Sequence, residues 1–204
     1  VVSVTLCANS YNVRDYGAKG DGKVLDHTAI NKANDACTAG GGGQVVVPAG
    51  TYLCGSIRLK SNVDLHLMAG AKILAAPGEL KAYDESEVFG APEYQDGGHT
   101  YFHNSLIWAE GQQNISITGR GMIDGEGLTR YDTEKDGIID GGSIGTGDKA
   151  IALKLCRNVT IRDITIYRGG HFAIITTGCD IGTIDNVTID TNRDGIDIDC
   201  CKYF

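Results

Sequence analysis

The feature that most constrains this chain is a repeat in its last third. Laid over one another, "CRNVTIRDITI" (156 to 166) and "CDIGTIDNVTI" (179 to 189) share a cysteine, an internal Thr-Ile and a closing Thr-Ile, 23 residues apart. "CKYF" opens a third copy at Cys201, 22 residues further on. A fixed period of this size marks a solenoid, in which each copy is one unit stacked on the last. The copy is too short for a helical hairpin, and its β-branched residues alternate between Gly and Asn corners. That pattern predicts one coil of a parallel β-helix.

Earlier segments follow the same plan with longer insertions. "SNVDLHLMAGAKILAA" (61 to 76) and "QNISITGRGMIDGEG" (113 to 127) each read as two short strands around a turn. The loops near 77 to 104 and 126 to 148 are long enough to wall a groove or meet a partner. The N-terminal part differs: in "DHTAINKANDAC" (26 to 37), Ile30, Ala33 and Cys37 fall at helical spacing, with Asp26 or Thr28 as cap. A helix near residues 27 to 38 would close the open end of the solenoid, whose first coil otherwise exposes its core. With 29 glycines and 3 prolines in 204 residues, composition agrees with short strands and tight turns.

The net charge of −8 excludes a general nucleic-acid binder, which needs a basic face. An anionic substrate stays open, because a few cations in a cleft outweigh distant, screened acids. No stretch approaches the length of a membrane-spanning helix. Residues 1–10, "VVSVTLCANS", read as the end of a secretory signal peptide with Ala8 at the cleavage position, or else as an ordinary first strand. The first reading implies a secreted or periplasmic protein. The seven cysteines are odd in number, Cys200 and Cys201 are adjacent, and no CxxC pair or nearby His cluster gives zinc spacing. Buried free thiols are expected, with Cys156, Cys179 and Cys201 as an interior ladder, and neither metal nor cofactor.

Five segments together carry a resemblance: "YNVRDYGAKGDGK" (11 to 23), "GGGQVVVPAGTY" (41 to 52), "ISITGRGMIDGEG" (115 to 127), "LCRNVTIRDITI" (155 to 166) and "TNRDGIDID" (191 to 199). On them the chain resembles glycoside hydrolase family 28, the polygalacturonases. The resemblance implies an all-β fold, a right-handed parallel β-helix of the pectin lyase-like kind with an N-terminal capping helix. Residues 11–204 would be the N-terminal part of one such domain, cut short on the C-terminal side. The implied partner is pectic polysaccharide of galacturonan or rhamnogalacturonan type, and the implied reaction is hydrolysis with inversion.

In that family the turn matching "NRDGID" usually reads Asn-Thr-Asp-Gly-x-Asp. Asn192, Asp194, Gly195 and Asp197 keep the pattern, and Arg193 replaces the Thr. By resemblance Asp194 is a carboxylate that holds and deprotonates the attacking water; the plainer reading is a turn-stabilising Asp. Asn192, Arg193, His171 and Asp197 are the substrate-binding candidates. His171 lies 23 residues before Asp194, so the period places it one coil below, where it lines a sugar subsite or is a surface histidine. Arg168 and Arg193 either grip a uronate carboxylate or neutralise neighbouring acids. Asp199 shares the outward parity of Asp197, and a solvated strand face suits it as well as any role in the site.

Other features carry plainer readings. His99, Tyr101, Phe102, His103 and Trp108 cluster after the first long loop, with Trp108 expected in the core. "IRLK" (57 to 60) reads as ordinary strand, and "DTEKDGIID" (132 to 140) as a solvated loop without calcium-loop spacing. The family's later machinery, an Asp-Asp pair with the general acid and a Gly-His-Gly turn, does not occur in the 204 residues. Residues 1–204 alone are therefore expected to lack measurable pectinase activity and to self-associate through an uncapped last coil. Two rivals stand beside hydrolysis: a calcium-dependent polysaccharide lyase on the same fold, and a non-catalytic glycan-binding β-helix.

Overall fold

The computed structural model describes residues 9–87, 97–129, 144–191 and 193–204. Ala8 and the segment 132 to 140 lie outside them.

Isoleucines, leucines and valines at alternate positions send one row of each strand inward, and the chain winds so that like meets like. Each coil passes through sheet 3, then sheet 1, then sheet 2, and every pairing within the sheets is parallel. Sheet 1 runs from Ser10–Asn12 to Asp180–Asp185, sheet 2 from Asp21–Leu25 to Thr188–Asp190, and sheet 3 from Ile57–Arg58 to Asp194–Asp199. The fold is a right-handed parallel β-helix, the hand that parallel crossovers take.

Three columns of apolar side chains fill the interior. Val45, Leu65, Ile117, Ile161 and Ile184 stack in sheet 1, and Tyr52, Ile73, Ile123, Ile166 and Ile189 in sheet 2. Ile57, Ile107, Ile151, Ile174 and Ile196 stack in sheet 3. Each fully buried member contributes about 1.5–3 kcal/mol. Thr160-Ile161 lies directly on Thr183-Ile184, as the repeat predicts. Cys156 and Cys179 are buried and Cys201 half-buried, each sulfur of the later pair accepting from the backbone N–H of the previous cysteine at 3.3 Å.

At the corner between sheets 3 and 1 the backbone turns left-handed at Asn62, Asn114, Asn158, Ile181 and Tyr203. Asparagine tolerates that conformation. Its amides form a ladder, Asn158 to Asn114 at 2.9 Å and Asn114 to Asn62 at 2.8 Å. Ile181 and Tyr203 end the ladder, and a β-branched residue at φ 59° is strained.

Helix α1 (His27–Ala39) closes the first coil with Ile30, Ala33 and Cys37 on its buried face. Asp26 precedes it but makes no side-chain cap. Its buried carboxylate instead accepts from the backbone N–H of Lys19 at 2.6 Å and of Gly20 at 2.9 Å. Fixing the preceding turn competes with capping for the same two oxygens. Among the described residues no helix is long and apolar enough to cross a membrane.

Candidate active site

The outer face of sheet 3 carries the candidate residues. Its last two strands are Phe172–Thr177 and Asp194–Asp199, paired Phe172 to Asp194, Ile175 to Asp197 and Thr177 to Asp199. The register between these strands is therefore 22. Sheet 2 keeps 23, with Thr165 on Thr188 and Tyr167 on Asp190. The turn from sheet 2 into sheet 3 is one residue shorter in the later coil: 191 to 193 replaces 168 to 171. Counting by 23 thus misplaces His171. It lies beneath Arg193, and Phe172 lies beneath Asp194.

His171 is buried, neither a surface residue nor an open subsite wall. Its Nε2 is 3.1 Å from an Arg193 guanidinium nitrogen. A guanidinium only donates, so Nε2 is the acceptor of that contact. The Arg193 Nε lies 3.9 Å from Asp194 Oδ2. Asp194 projects into solvent with its side chain 59% exposed. A carboxylate in that state, beside a fixed cation and above an aromatic floor, can accept a proton from water. Asn192 lies outside the described residues.

Asp197 faces outward, and its Oδ2 is 3.0 Å from His99 Nε2. His99 stands on α2 (Gly97–Thr100), and its ring meets Phe172 edge-on at 5.0 Å and 73°. Helix α2 sits this close because residue 98 is glycine: a Cβ there would lie 2.6 Å from His171 Nε2. Asp199 also lies on this half-buried outer row, and the inward Ile196 and Ile198 remain about half exposed. Arg168 does not reach the groove. It forms two bonds to Asp124, at 2.8 and 2.7 Å, on sheet 2, and these hold its pKa up.

Beside the carboxylates the outer face of sheet 3 is covered. Phe102, Ala152, Phe172 and Ile175 form a buried cluster on the outer face of sheet 3, with Trp108 packed at its margin. Trp108 is therefore outside the interior core expected for it. Below this cluster, Lys149 and Asp148 form a fully buried ion pair at 2.7 Å, and Lys149 also donates to the Tyr101 carbonyl at 2.8 Å. Burial pushes the Asp148 carboxyl up, against the pull of Lys149.

Glu87, His103 and Glu110 offer donor atoms within 4.8 Å of one another, the composition of a metal site. Glu87 already accepts the backbone N–H groups of Phe102 and His103. The Lys154 ammonium lies 3.5 Å from Glu87 and 3.4 Å from Glu110. The chain thus supplies this cluster with its own cation.

The sequence sets His99 in an aromatic cluster and gives it no role at Asp197. The two are 98 positions apart and joined only by a fold-dependent contact. No local signal marks it. Nor does any signal mark Lys149, since adjacent residues of a strand ordinarily face opposite ways.

Comparison with known proteins adds the following. A family model described as Rhamnogalacturonase A/epimerase, pectate lyase-like, matches residues 10–199. The chain is similar to the exo-poly-alpha-D-galacturonosidase of Dickeya chrysanthemi, 35% identical over 136 residues, covering 66% of this chain and 22% of that protein. It is similar to the plasmin and fibronectin-binding protein A of Streptococcus pneumoniae, 36% identical over 187 residues, covering 89% of this chain and 23% of that protein. The structure of the hyperthermoactive exopolygalacturonase from Thermotoga maritima superposes with a TM-score of 0.75 at 25% identity, covering 96% of this chain and 50% of that one. The chain spans less than half the length of these curated relatives.

Proposed function

We propose, from the premise that this chain belongs to the Rhamnogalacturonase A/epimerase, pectate lyase-like family, that it is the water-activating half of a pectic polysaccharide hydrolase. Asp194 carries the reading. It is exposed, at the edge of sheet 3, with the Arg193 guanidinium beside it. In inverting hydrolysis one carboxylate takes the proton of the attacking water while an acid protonates the leaving oxygen on the other side of the ring. Asp194 serves the first role, and Arg193 is placed to meet a uronate carboxylate in the geometry that guanidinium favours. The acid is not among this chain's candidate residues, so residues 1–204 by themselves turn over no pectin.

Phe102 and Phe172 pack together on the outer face of sheet 3, on the N-terminal side of Asp194 and Asp197. This packed stretch beside Asp194 supports action at a chain end. That agrees with the names of the Dickeya and Thermotoga relatives. Secretion or periplasmic export remains part of this proposal, since the substrate is a large extracellular polymer. Self-association through the exposed Ile196 and Ile198 also belongs to it, and size-exclusion chromatography checks it.

The test uses the full-length protein that carries this chain on polygalacturonate. The expected result is inverted product, release of small sugars ahead of any fall in viscosity, and activity that survives EDTA. Rapid loss of viscosity would overturn end-wise action, and unsaturated products requiring calcium would favour a lyase. The likeness to the streptococcal binding protein supports a second reading, in which the β-helix binds without turnover. Complete absence of hydrolysis in the full-length protein would favour it.

A further inference from the structure

A second hollow opens on the same outer face, on the far side of the Phe102 cluster, where sheet 3 turns into sheet 1. It measures about 270 Å³ and is lined by Arg58, Lys60, His103, Trp108, Glu110 and Gln112. Arg58, Trp108, Ala152, Ile175 and Asp197 follow one another in register along the sheet. Four coil steps at about 4.8 Å put the hollow roughly 19 Å from Asp197. Phe102, buried against Ala152 and Ile175, separates the two.

The hollow is preformed. Trp108 donates its indole N–H to Asp84 Oδ2 at 2.8 Å, and its ring stacks on His103 at 4.0 Å and 22°. Arg58 is gripped by both oxygens of the same Asp84. His103 is pinned to Glu110 at 2.8 Å, and Gln112 is tied to Ser61 and to the Glu110 carbonyl. Each of these groups is thus held by a neighbour, which lowers the ordering cost of binding.

Charge gives the ligand class. Glu110 is paired with the Lys154 ammonium at 3.4 Å, and Arg58 with Asp84. Arg58 and Lys60 keep side chains 52% and 41% exposed at the rim, with Lys60 only loosely paired to Asp35 at 3.6 Å. Their residues alternate outward from the strand whose Ile57 and Leu59 enter the core. An aromatic pair with two cations at its edge suits a pyranose ring bearing a carboxylate. The volume, at the small end for ligand pockets, admits one or two rings.

We infer that this hollow is a second, non-catalytic saccharide site that holds a uronate unit through Arg58 and Lys60 against the Trp108–His103 stack. The choice of a uronate rests on the function proposed above; the hollow and its fixed side chains do not. Trp108 is the only tryptophan in the chain, so its emission reports this site alone. Titrating the 204-residue chain with trigalacturonate should change that emission saturably. Lys60→Ala should weaken the midpoint about fivefold, the scale of one exposed charge contact. The fully methyl-esterified trimer should bind correspondingly more weakly, and Arg193→Ala should leave the midpoint where it was. No saturable change, equal binding of acid and ester, or a midpoint moved by Arg193→Ala would overturn the inference. Hydrolysis by the full-length protein is read separately, so either claim can fail while the other stands.

Discussion

The two edges of sheet 3 share one sequence pattern and have opposite fates. At the first, Ile57-Arg58-Leu59-Lys60 points its apolar residues inward and its charges outward; at the last, Ile196-Asp197-Ile198-Asp199 does the same. Ile57 is fully buried, whereas Ile196 and Ile198 are 46% and 48% exposed. The difference is coverage. Helix α1 lies over the first edge, where Asn31 donates to the Ser56 carbonyl and accepts from the Arg58 N–H, and Asn34 donates to the Arg58 carbonyl. Side-chain amides there take the place of a preceding strand, which satisfies an otherwise open ladder. The last edge leaves Asp194 59% exposed, with Asp197 and Asp199 half-buried. Alternation decides which way a residue points, and within these 204 residues the cover of α1 decides that Ile57 is buried.

The largest effect should come from the ion pair beneath the Phe102 cluster. Lys149→Ala leaves the Asp148 carboxyl buried without its cation, and removing one partner of a buried pair costs about 3–5 kcal/mol. Chemical denaturation should show it, and the paired change to Asp148→Ala with Lys149→Ala should recover part of the loss. Next come the two edges themselves. Ile57→Ala should cost about 2–5 kcal/mol, as for a core isoleucine, while Ile198→Ala should cost less than about 1 kcal/mol because half its surface is already wet. Equal losses would break the comparison.

Two smaller effects sharpen it. Ile181→Asn should stabilise the chain by about 1 kcal/mol, the scale of a left-handed β-branched residue relieved. The new amide would also extend the ladder above Asn158. Thermal melting resolves a shift of that size. The smallest effect is local and depends on pH. Burial pushes the Glu87 carboxyl up, but N–H donors from His103, from Glu87 itself and from Phe102 outweigh it and hold the pKa below the usual range. Glu87 therefore contributes stability that is complete above about pH 4.3, the unfolded value, and is lost as pH falls through the lower folded value. The protection of the Phe102 and His103 amides, measured against their intrinsic exchange rate at each pH, should fall below that point and stay constant between pH 5 and 7.

Much of this architecture is legible in the residues themselves. Thr160-Ile161 over Thr183-Ile184 sets the coils, and Ile30, Ala33 and Cys37 mark the capping helix, because periodicity and burial are local properties. What escapes a linear reading depends on contacts between distant segments. The shortened turn at 191 to 193 shifts His171 from Asp194 to Arg193, a one-residue change that the cysteine spacing hints at with its step of 22. The size of Trp108 points to the core, though its neighbour Ile107 already occupies the inward position of the strand. His99 reaches Asp197 only because α2 folds back over the sheet.

The claim that Asp194 is the reactive carboxylate is tested most directly by Asp194→Asn in the full-length protein. The side chain is exposed and makes no contact the fold needs, so the melting temperature should stay where it is. Turnover of polygalacturonate should fall about 10²–10⁴-fold, the scale of a lost general base. An unchanged turnover number in a variant of unchanged stability would contradict the account.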